Sequence, residues 1–191
     1  MESAPTKTKT KEETVIVLFG ESGAGKDTIL NELVKKGYEK AKNYTTREKR
    51  QGDENDNNLN FVSKEKFEEL WKSGKLAQRA ELNGQFYGIS IDSLKDNVVL
   101  ISITKTIQDL KNKIKELNIT SINFKTFYIS VPKEERIKRM EKRGDSKQSI
   151  QERLKTDEEK FKDAKKVADY IIENNNLEKA VGEIWSKLLD I

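Results

Sequence analysis

The sequence predicts an α/β domain in which a parallel sheet lies between helices on both faces, giving three layers. The first observation is a β-branched apolar run, Thr14 to Phe19, that leads directly into the glycine-rich stretch GESGAGKDT. The second is the alternation of apolar runs and amphipathic segments that continues toward the C-terminus. Such alternation favours parallel strands joined by right-handed crossovers. With 191 residues and 34% hydrophobic content, we expect one domain with one core.

The spacing of apolar residues predicts the elements in order. After the glycine stretch, Ile29, Leu30 and Leu33 recur at helical spacing, and Gly37 is placed to end that helix. Three later apolar runs are typical of buried strands, at 97–103, 125–131 and 169–174. Helical patterns separate them, at 106–117, 133–143, 146–166 and 177–189.

Residues 38–93 break this alternation. They are polar, rich in Asn and Gly, and carry short β-like pieces around one helix at 63–74. We therefore expect a small insertion over the carboxyl edge of the sheet, where folds of this class bind ligands. The core then comprises 14–37 and 94–191, and residues 1–13, polar and rich in Thr and Lys, are expected to form a disordered tail.

Composition excludes several classes of function. The chain has no Cys and no His, so catalysis must use Lys, Arg, carboxylates, hydroxyls or a bound metal. The net charge of +4 comes from interleaved charges of both signs, which argues against nucleic-acid binding. The longest strongly apolar run, Val15 to Phe19, is too short to span a membrane. We expect a soluble cytoplasmic protein, without a membrane partner.

The glycine-rich stretch has the spacing of a phosphate-binding loop. Its glycines let backbone N–H groups turn toward phosphate oxygens, and Lys26 follows at the helix start, within reach of the β- and γ-phosphates. The strand before the loop and the helix after it give the context that this motif requires. The predicted ATP-binding residues here are Gly20, Ser22, Gly23, Ala24, Gly25, Lys26, Asp27 and Thr28.

Asp27 stands where the motif has Ser or Thr, the hydroxyl that usually holds Mg²⁺. A carboxylate is a good Mg²⁺ ligand, so Asp27 could bind the metal directly or through water. Alternatively, Asp27 is only a first-turn carboxylate that the helix dipole favours, and Thr28 or water holds the metal. The candidate metal ligands are therefore Asp27 and Thr28.

The segment NYTTREKRQGDENDNNLNFVSKEKFEEL resembles the guanylate kinases. That family has Thr-Thr-Arg-x-x-Arg-x-Gly-Glu, then Phe-Val-Ser and a helix, then a Gly-x-Tyr-Tyr-Gly turn, for which this chain has GQFYG. Farther on, RIKRMEKRGDSKQSIQERL resembles the lid of the family, here about 136–156, and IIENNNLEKAVGEI resembles its last strand and helix. The resemblance runs in one unbroken order from Val15 to the C-terminus.

The resemblance implies transfer of the γ-phosphoryl group of ATP to a nucleoside monophosphate, with Mg²⁺. Such transfer needs two anionic substrates to be positioned and their charge neutralised. The residues implied at the transferred group are Lys26, Arg139, Arg143 and Arg153. Those implied at the acceptor are Asn43, Arg47, Arg50, Gln78, Tyr87 and Ile89, and Asn174 is implied near the adenine of ATP. The ordinary alternatives are surface solvation for the lid arginines and a turn residue for Asn174.

The departures from the family concentrate in the acceptor base site. Gln78 replaces a Glu that takes the guanine N–H groups, and Ile89 replaces a small polar residue. Leu100 to Thr106 lacks the acidic pair of the family. Since Glu only accepts hydrogen bonds whereas Gln also donates, we expect a base other than guanine. A small shift in register would instead bring Glu81 into the place of Gln78.

Two rival functions remain open at this stage. Guanylate-kinase-like scaffold domains bind phosphopeptides without catalysis, but those domains degrade the ATP loop that this chain keeps. A nucleotide sensor that binds ATP without turnover is the other rival, favoured by Asp27 and by the missing acidic pair. We expect a monomer or a homodimer.

Overall fold

The computed structural model describes residues 13–49, 56–82, 84–119 and 121–189. Its main sheet has five strands in the order β2-β7-β1-β8-β9, and every pairing in it is parallel. These strands are β1 Glu13–Phe19, β2 Glu39–Lys40, β7 Val98–Ile101, β8 Ile122–Ser130 and β9 Tyr170–Glu173. The parallel sheet that the sequence predicts is confirmed.

A second, four-stranded sheet has the order β4-β3-β6-β5 and contains both parallel and antiparallel pairs. Its strands are β3 Asn43–Thr45, β4 Leu59–Phe61, β5 Leu76–Leu82 and β6 Gln85–Ser90. The helices are α1 Lys26–Lys35, α2 Lys64–Lys72, α3 Thr104–Glu116, α4 Lys133–Lys142, α5 Lys147–Phe161, α6 Ala164–Val167 and α7 Leu177–Leu189.

The core has two layers, one on each face of the main sheet. Val15, Val17 and Phe19 of β1 pack with α3 and α6, whereas Ile16 and Leu18 pack with α1 and α7. All five side chains are fully buried. A strand covered on both faces has no solvent side, which explains why β1 is a continuous apolar run rather than an alternating one.

The structure differs from the sequence prediction at several boundaries. β2 belongs to the main sheet, so the second sheet begins at Asn43 rather than at residue 38. Strand β2 has only two residues, too few for a periodic sequence pattern, and its pairing with β7 is what identifies it. Glu13 belongs to β1 and not to the tail, because its N–H donates to the carbonyl of Ser121. Residues 1–12 lie outside the described part of the chain.

The helix predicted over 146–166 is two helices, α5 and α6. The chain leaves the helical conformation at Asp163 and then re-enters it, so that Phe161 and Ala164 pack into the same cluster. Amphipathic spacing predicts the buried face but does not register such a bend. Helix α3 begins at Thr104, one half-turn before the predicted start at residue 106.

The second sheet lies over the carboxyl end of the main sheet. Gln78 and Ile89 from the second sheet line one cavity together with Val99 and Leu100 of β7. This is the edge at which α/β folds bind their ligands. Among the described helices, none is long and apolar enough to cross a bilayer.

Candidate active site

The phosphate-binding loop connects β1 to α1 and is shaped by its glycines. Gly23 and Gly25 have φ of +80° and +86°, a left-handed backbone that favours glycine. A Cβ at Gly23 would lie 2.7 Å from the carbonyl oxygen of Arg136, so the loop rests directly on α4. Helix α1 starts immediately after Gly25, which places its free N–H groups and positive dipole end at the loop.

A buried ion pair fixes the outer side of this loop. The Ser22 N–H donates to the Asp157 carboxylate at 2.7 Å, and the Arg136 guanidinium donates to the Ser22 carbonyl at 3.3 Å. Arg136 and Asp157 lie 3.7 Å apart with side chains only 9% and 8% exposed. The loop is therefore held by α4 and α5 together, a role for both residues that the sequence analysis missed. Charged residues on amphipathic helices are usually solvated, so no pattern distinguished these two.

Lys26 and Tyr128 are held by the same turn of the loop. The Lys26 ammonium donates to the carbonyl of Glu21 at 2.9 Å, and the Tyr128 hydroxyl donates to the Glu21 carboxylate at 2.9 Å. Burial lowers the pKa of Lys26, and the nearby carboxylates of Asp27, Asp157 and Glu21 oppose that shift. Burial and the Glu21 carboxylate raise the pKa of Tyr128. An anionic phosphate would further favour the charged form of Lys26.

A cavity of about 740 Å³ lies over the loop, and we name it the donor cavity. The structure brings to it the predicted loop residues and the predicted lid arginines. Its lining includes Ser22, Gly23, Gly25, Lys26, Asp27, Thr28, Arg139, Arg143, Arg153 and Asn174. Ala24 is fully buried below the loop, and Gly20 lines the neighbouring cavity.

The lid arginines are paired within the protein. Arg143 binds the two carboxylate oxygens of Asp145 at 3.0 and 2.6 Å, and Arg153 lies 3.7 Å from the same carboxylate. The hydrogen bond from Arg143 lowers the pKa of Asp145, and the same bond raises the pKa of Arg143. Arg139 donates to Glu135 at 3.1 Å and to the carbonyl of Asn174 at 2.8 Å. The Asp145 carboxylate is thus the anion that Arg143 and Arg153 contact in this structure.

Asn174 contacts the phosphate-binding loop in addition to lining the donor cavity. Its side-chain amide donates to the carbonyl of Ala24 at 2.8 Å, and the residue is almost fully buried. A Cβ at Gly25 would lie 2.6 Å from this amide nitrogen, so the fit is close. Asn174 therefore anchors the phosphate-binding loop to the end of β9. Its predicted role at the adenine stays a prediction.

A second cavity of about 400 Å³ joins the loop to the second sheet, and we name it the transfer cavity. Lys26, Arg47, Tyr87 and Arg153 all line it. Arg47 donates to the carbonyl of Glu48 at 2.8 Å, and its guanidinium lies 5.2 Å from the centre of the Phe61 ring. Cations from the loop, the lid and the second sheet thus face one space. Arg50, predicted beside Arg47, lies outside the described residues.

A third cavity of about 340 Å³ contains the predicted base-recognition residues, and we name it the base cavity. Strand pairing sets Gln78 opposite Ile89 and Ile89 opposite Asn43, in one row across β5, β6 and β3. All three residues line the cavity, as does Tyr87.

The register of β5 also decides between the two candidates for the base-binding side chain. Glu81 is exposed, pairs with Phe86 and is not in the cavity lining. Successive side chains of a strand point to opposite faces, so Gln78 and Ala80 share the cavity side. Gln78, not Glu81, therefore faces this cavity.

The metal-ligand candidates lie at the exposed first turn of α1. Asp27 and Thr28 both line the donor cavity, and Asp27 also lines the base cavity. In the described residues, no group of three or more Asp, Glu, His or Cys side chains could hold a metal ion. This donor set fits Mg²⁺, because that ion commonly takes one or two protein ligands and completes its shell with phosphate and water oxygens.

Comparisons with known proteins agree with this architecture. A family model described as guanylate kinase matches residues 12–190. The guanylate kinase of Wolbachia pipientis wMel is 31% identical over 185 residues, which cover 93% of this chain and 90% of that protein. That of Anaplasma phagocytophilum strain HZ is 29% identical over 175 residues, covering 89% and 83%. The crystal structure of guanylate kinase from Anaplasma phagocytophilum has a TM-score of 0.67 and 25% identity, and covers 93% of this chain and 86% of that one. The chain therefore belongs to the guanylate kinase family.

Proposed function

We propose that this nucleotide kinase transfers the γ-phosphoryl group of ATP, with Mg²⁺, to a nucleoside monophosphate whose base is not guanine. The transfer cavity supports the reaction type. It lies between the donor cavity and the base cavity, and Lys26, Arg47 and Arg153 line it. Transfer of a phosphoryl group depends on positioning and on neutralising the charge of the moving group, which these cations supply.

Each part of the site has a distinct task in this proposal. The loop N–H groups and Lys26 bind the phosphates of ATP. Arg47 and Tyr87 bind the phosphate of the acceptor, the arginine in bidentate fashion. Asp27 or Thr28 would hold Mg²⁺, which would supply neutralisation of the negative charge of the phosphates.

Closure of the site excludes water, so that the acceptor and not the solvent takes the phosphoryl group. The moving parts in this proposal are the second sheet, which begins at Asn43, together with helix α2, and the lid, about 136–156. On closing, Arg143 and Arg153 exchange the Asp145 carboxylate for phosphate oxygens, and Arg139 joins them. Charge-assisted hydrogen bonds to phosphate are strong enough to favour this exchange.

The observation that carries the altered base preference is the environment of Gln78. This side chain is 5% exposed, and the Ser102 hydroxyl donates to its amide oxygen at 3.0 Å. Its apolar neighbours on that wall are Ile89 across the sheet, Ile101 at the end of β7 and Ile103 just after it. Guanine presents N1–H and N2–H₂ donors, which a carboxylate would accept, whereas the Gln78 oxygen is turned toward the Ser102 hydroxyl. A base whose buried donors stay unpaired can have a kcat/KM several orders of magnitude below that of a base that matches the site.

The intact ATP site argues for an enzyme and against a phosphopeptide module. The loop, Lys26 and the three lid arginines all converge on the donor cavity. A module that binds only a phosphopeptide needs Arg47 and Tyr87 but has no use for this convergence.

The test is a coupled assay of ADP release with ATP and Mg²⁺ against each ribo- and deoxyribonucleoside monophosphate. We expect strong turnover with at least one acceptor and weak turnover with GMP. ATP binding without turnover of any acceptor would contradict the enzyme proposal and favour a sensor. GMP as the best acceptor would contradict the altered base preference.

A further inference from the structure

A chain of buried hydroxyl groups continues behind Gln78. The Ser102 hydroxyl lies 3.0 Å from the Gln78 amide oxygen and 2.9 Å from the hydroxyl of Thr106. The Thr106 hydroxyl also lies 3.1 Å from the carbonyl oxygen of Ile103. All three polar side chains are buried, so water does not compete for these bonds. The arrangement of their protons therefore decides which end of the Gln78 amide faces the base cavity.

The proton arrangement follows from counting donors. Each hydroxyl has one proton to donate. The Ile103 carbonyl already accepts from the N–H groups of Thr106 and Ile107, at 3.1 and 3.2 Å. Because a carbonyl oxygen has two lone pairs, the Thr106 proton is better placed on Ser102 than on Ile103. The Ser102 proton is then directed to the oxygen of Gln78.

We infer that Ser102 is a specificity-determining positioning residue, which turns the N–H₂ group of Gln78 toward the acceptor base. Among the described residues, that nitrogen has no hydrogen-bond partner, and Gln78 lines the base cavity. Ser102 also lines the base cavity, and its role in this inference is to orient Gln78. This inference rests on the proposed function, because it concerns the same acceptor site.

The inference defines the chemical class of the base. An N–H₂ group needs a hydrogen-bond acceptor opposite it. Adenine N1 and cytosine N3 are such acceptors. Hypoxanthine N1–H, uracil N3–H and the two guanine donors are not. The site should therefore favour a base whose ring nitrogen at this edge carries no proton.

Matched nucleotide pairs allow this to be measured as equilibrium binding. AMP differs from IMP, and CMP from UMP, in whether the ring nitrogen at this edge accepts or donates. Isothermal titration calorimetry, with Mg²⁺ and without ATP, gives the ratio of Kd values within each pair. Because this measurement does not require turnover, it can fail or succeed independently of the ADP-release assay.

The variants separate the Ser102 hydrogen bond from general effects on the core. Ser102→Ala removes the proton that holds the Gln78 oxygen. Thr106→Val removes only the far end of the chain and leaves Ser102 with Gln78 as its acceptor. Thr104→Val is the matched control. Thr104 is buried on α3, the helix that carries Thr106, and its hydroxyl has no partner among the described residues. Thermal unfolding identifies any variant that loses the fold.

In at least one pair, we expect the wild type to bind the nucleotide whose ring nitrogen accepts a hydrogen bond, AMP or CMP, about 3- to 10-fold more tightly than its partner. This is the usual range for one hydrogen bond. Ser102→Ala should bring that ratio close to one, while Thr104→Val and Thr106→Val keep it. The inference is overturned if the wild type shows no preference in either pair or if Ser102→Ala keeps the wild-type ratio. If Thr104→Val lowers the ratio of Kd values as much as Ser102→Ala does, the inference is overturned as well, because the effect then does not come from the Ser102 hydrogen bond.

Discussion

The donor cavity and the base cavity differ in the residues that line them. The donor cavity is lined by Lys26 and three lid arginines, on a backbone cradle that glycines shape. Aliphatic side chains make up half of the base-cavity lining, and its polar residues include Gln78, a buried amide on the inner wall. The donor cavity would bind the charge that every nucleoside triphosphate carries, whereas the base cavity would recognise the hydrogen-bond donors and acceptors of a base.

This difference separates what makes the protein a kinase from what selects its substrate. Phosphate recognition uses charge at long range and is compatible with the pairing of Arg143 with Asp145. Base recognition depends on the direction of one or two hydrogen bonds at a buried amide, where an unmatched group is costly. A substitution in the donor cavity should therefore lower the rate for all acceptors, and one in the base cavity should change their order.

The largest effect is expected for Lys26→Ala. Loss of the loop cation removes charge stabilisation from the moving phosphoryl group, so kcat/KM should fall about 10³-fold for every acceptor alike. The control is Lys35→Ala, on the same helix but exposed and, in the described part of the chain, paired with Glu32. Steady-state kinetics and thermal unfolding check both variants. Near-normal turnover of Lys26→Ala would refute the assignment of the loop.

The next effect, on stability, is expected for Asp157→Ala. This change leaves the buried Arg136 without its counter-charge and the Ser22 N–H without its acceptor. Breaking a buried ion pair costs about 3 kcal/mol of unfolding free energy. Asp157→Asn keeps an acceptor for the Ser22 N–H and should cost less. Urea denaturation compares the two, and equal stability of Asp157→Ala and wild type would show that the pair does not hold the loop.

The base cavity should respond in selectivity and not in overall rate. Gln78→Glu with Ile89→Ser restores an acceptor and a small polar group at two directly paired positions. We expect the kcat/KM for GMP, relative to the best wild-type acceptor, to rise about 10- to 100-fold. Glu81→Gln, on the opposite face of β5, is the control and should leave the order of acceptors as it is. An unchanged order in the double variant would mean that the base binds elsewhere.

The smallest effect is expected for Asp145→Asn. Without the carboxylate, Arg143 and Arg153 are available to phosphate at no electrostatic cost, so ATP should bind about 2- to 5-fold more tightly. The sign of the pH dependence follows from the lowered pKa of Asp145. The ion pair is complete above the ordinary value of 3.8 and is lost only as the pH falls through the lowered one. The difference in ATP affinity between the variant and the wild type should therefore stay constant between about pH 6 and 9, as measured by fluorescence titration.

The sequence predicted the donor cavity better than it predicted the residues that support it. Lys26, Arg139 and Arg143 occur in motifs with fixed spacing, and the structure brings them together. Arg136 and Asp157 occur in no such motif, because their pairing depends on how α4 and α5 pack. The hydroxyl of Ser102 was equally hidden, since only the packing of β7 and α3 against β5 places it behind Gln78. Local patterns predict side chains that meet a ligand, and tertiary packing determines the ones behind them.

The most direct test of the account is a competition experiment with the wild-type protein. ATP, Mg²⁺ and an equimolar mixture of nucleoside monophosphates would be incubated with the enzyme, and the diphosphates formed early would be separated by mass spectrometry. We predict that a diphosphate other than GDP dominates, and that its base presents a ring nitrogen acceptor to Gln78. GDP as the main product would show that the site reads guanine despite Gln78, and would contradict the account.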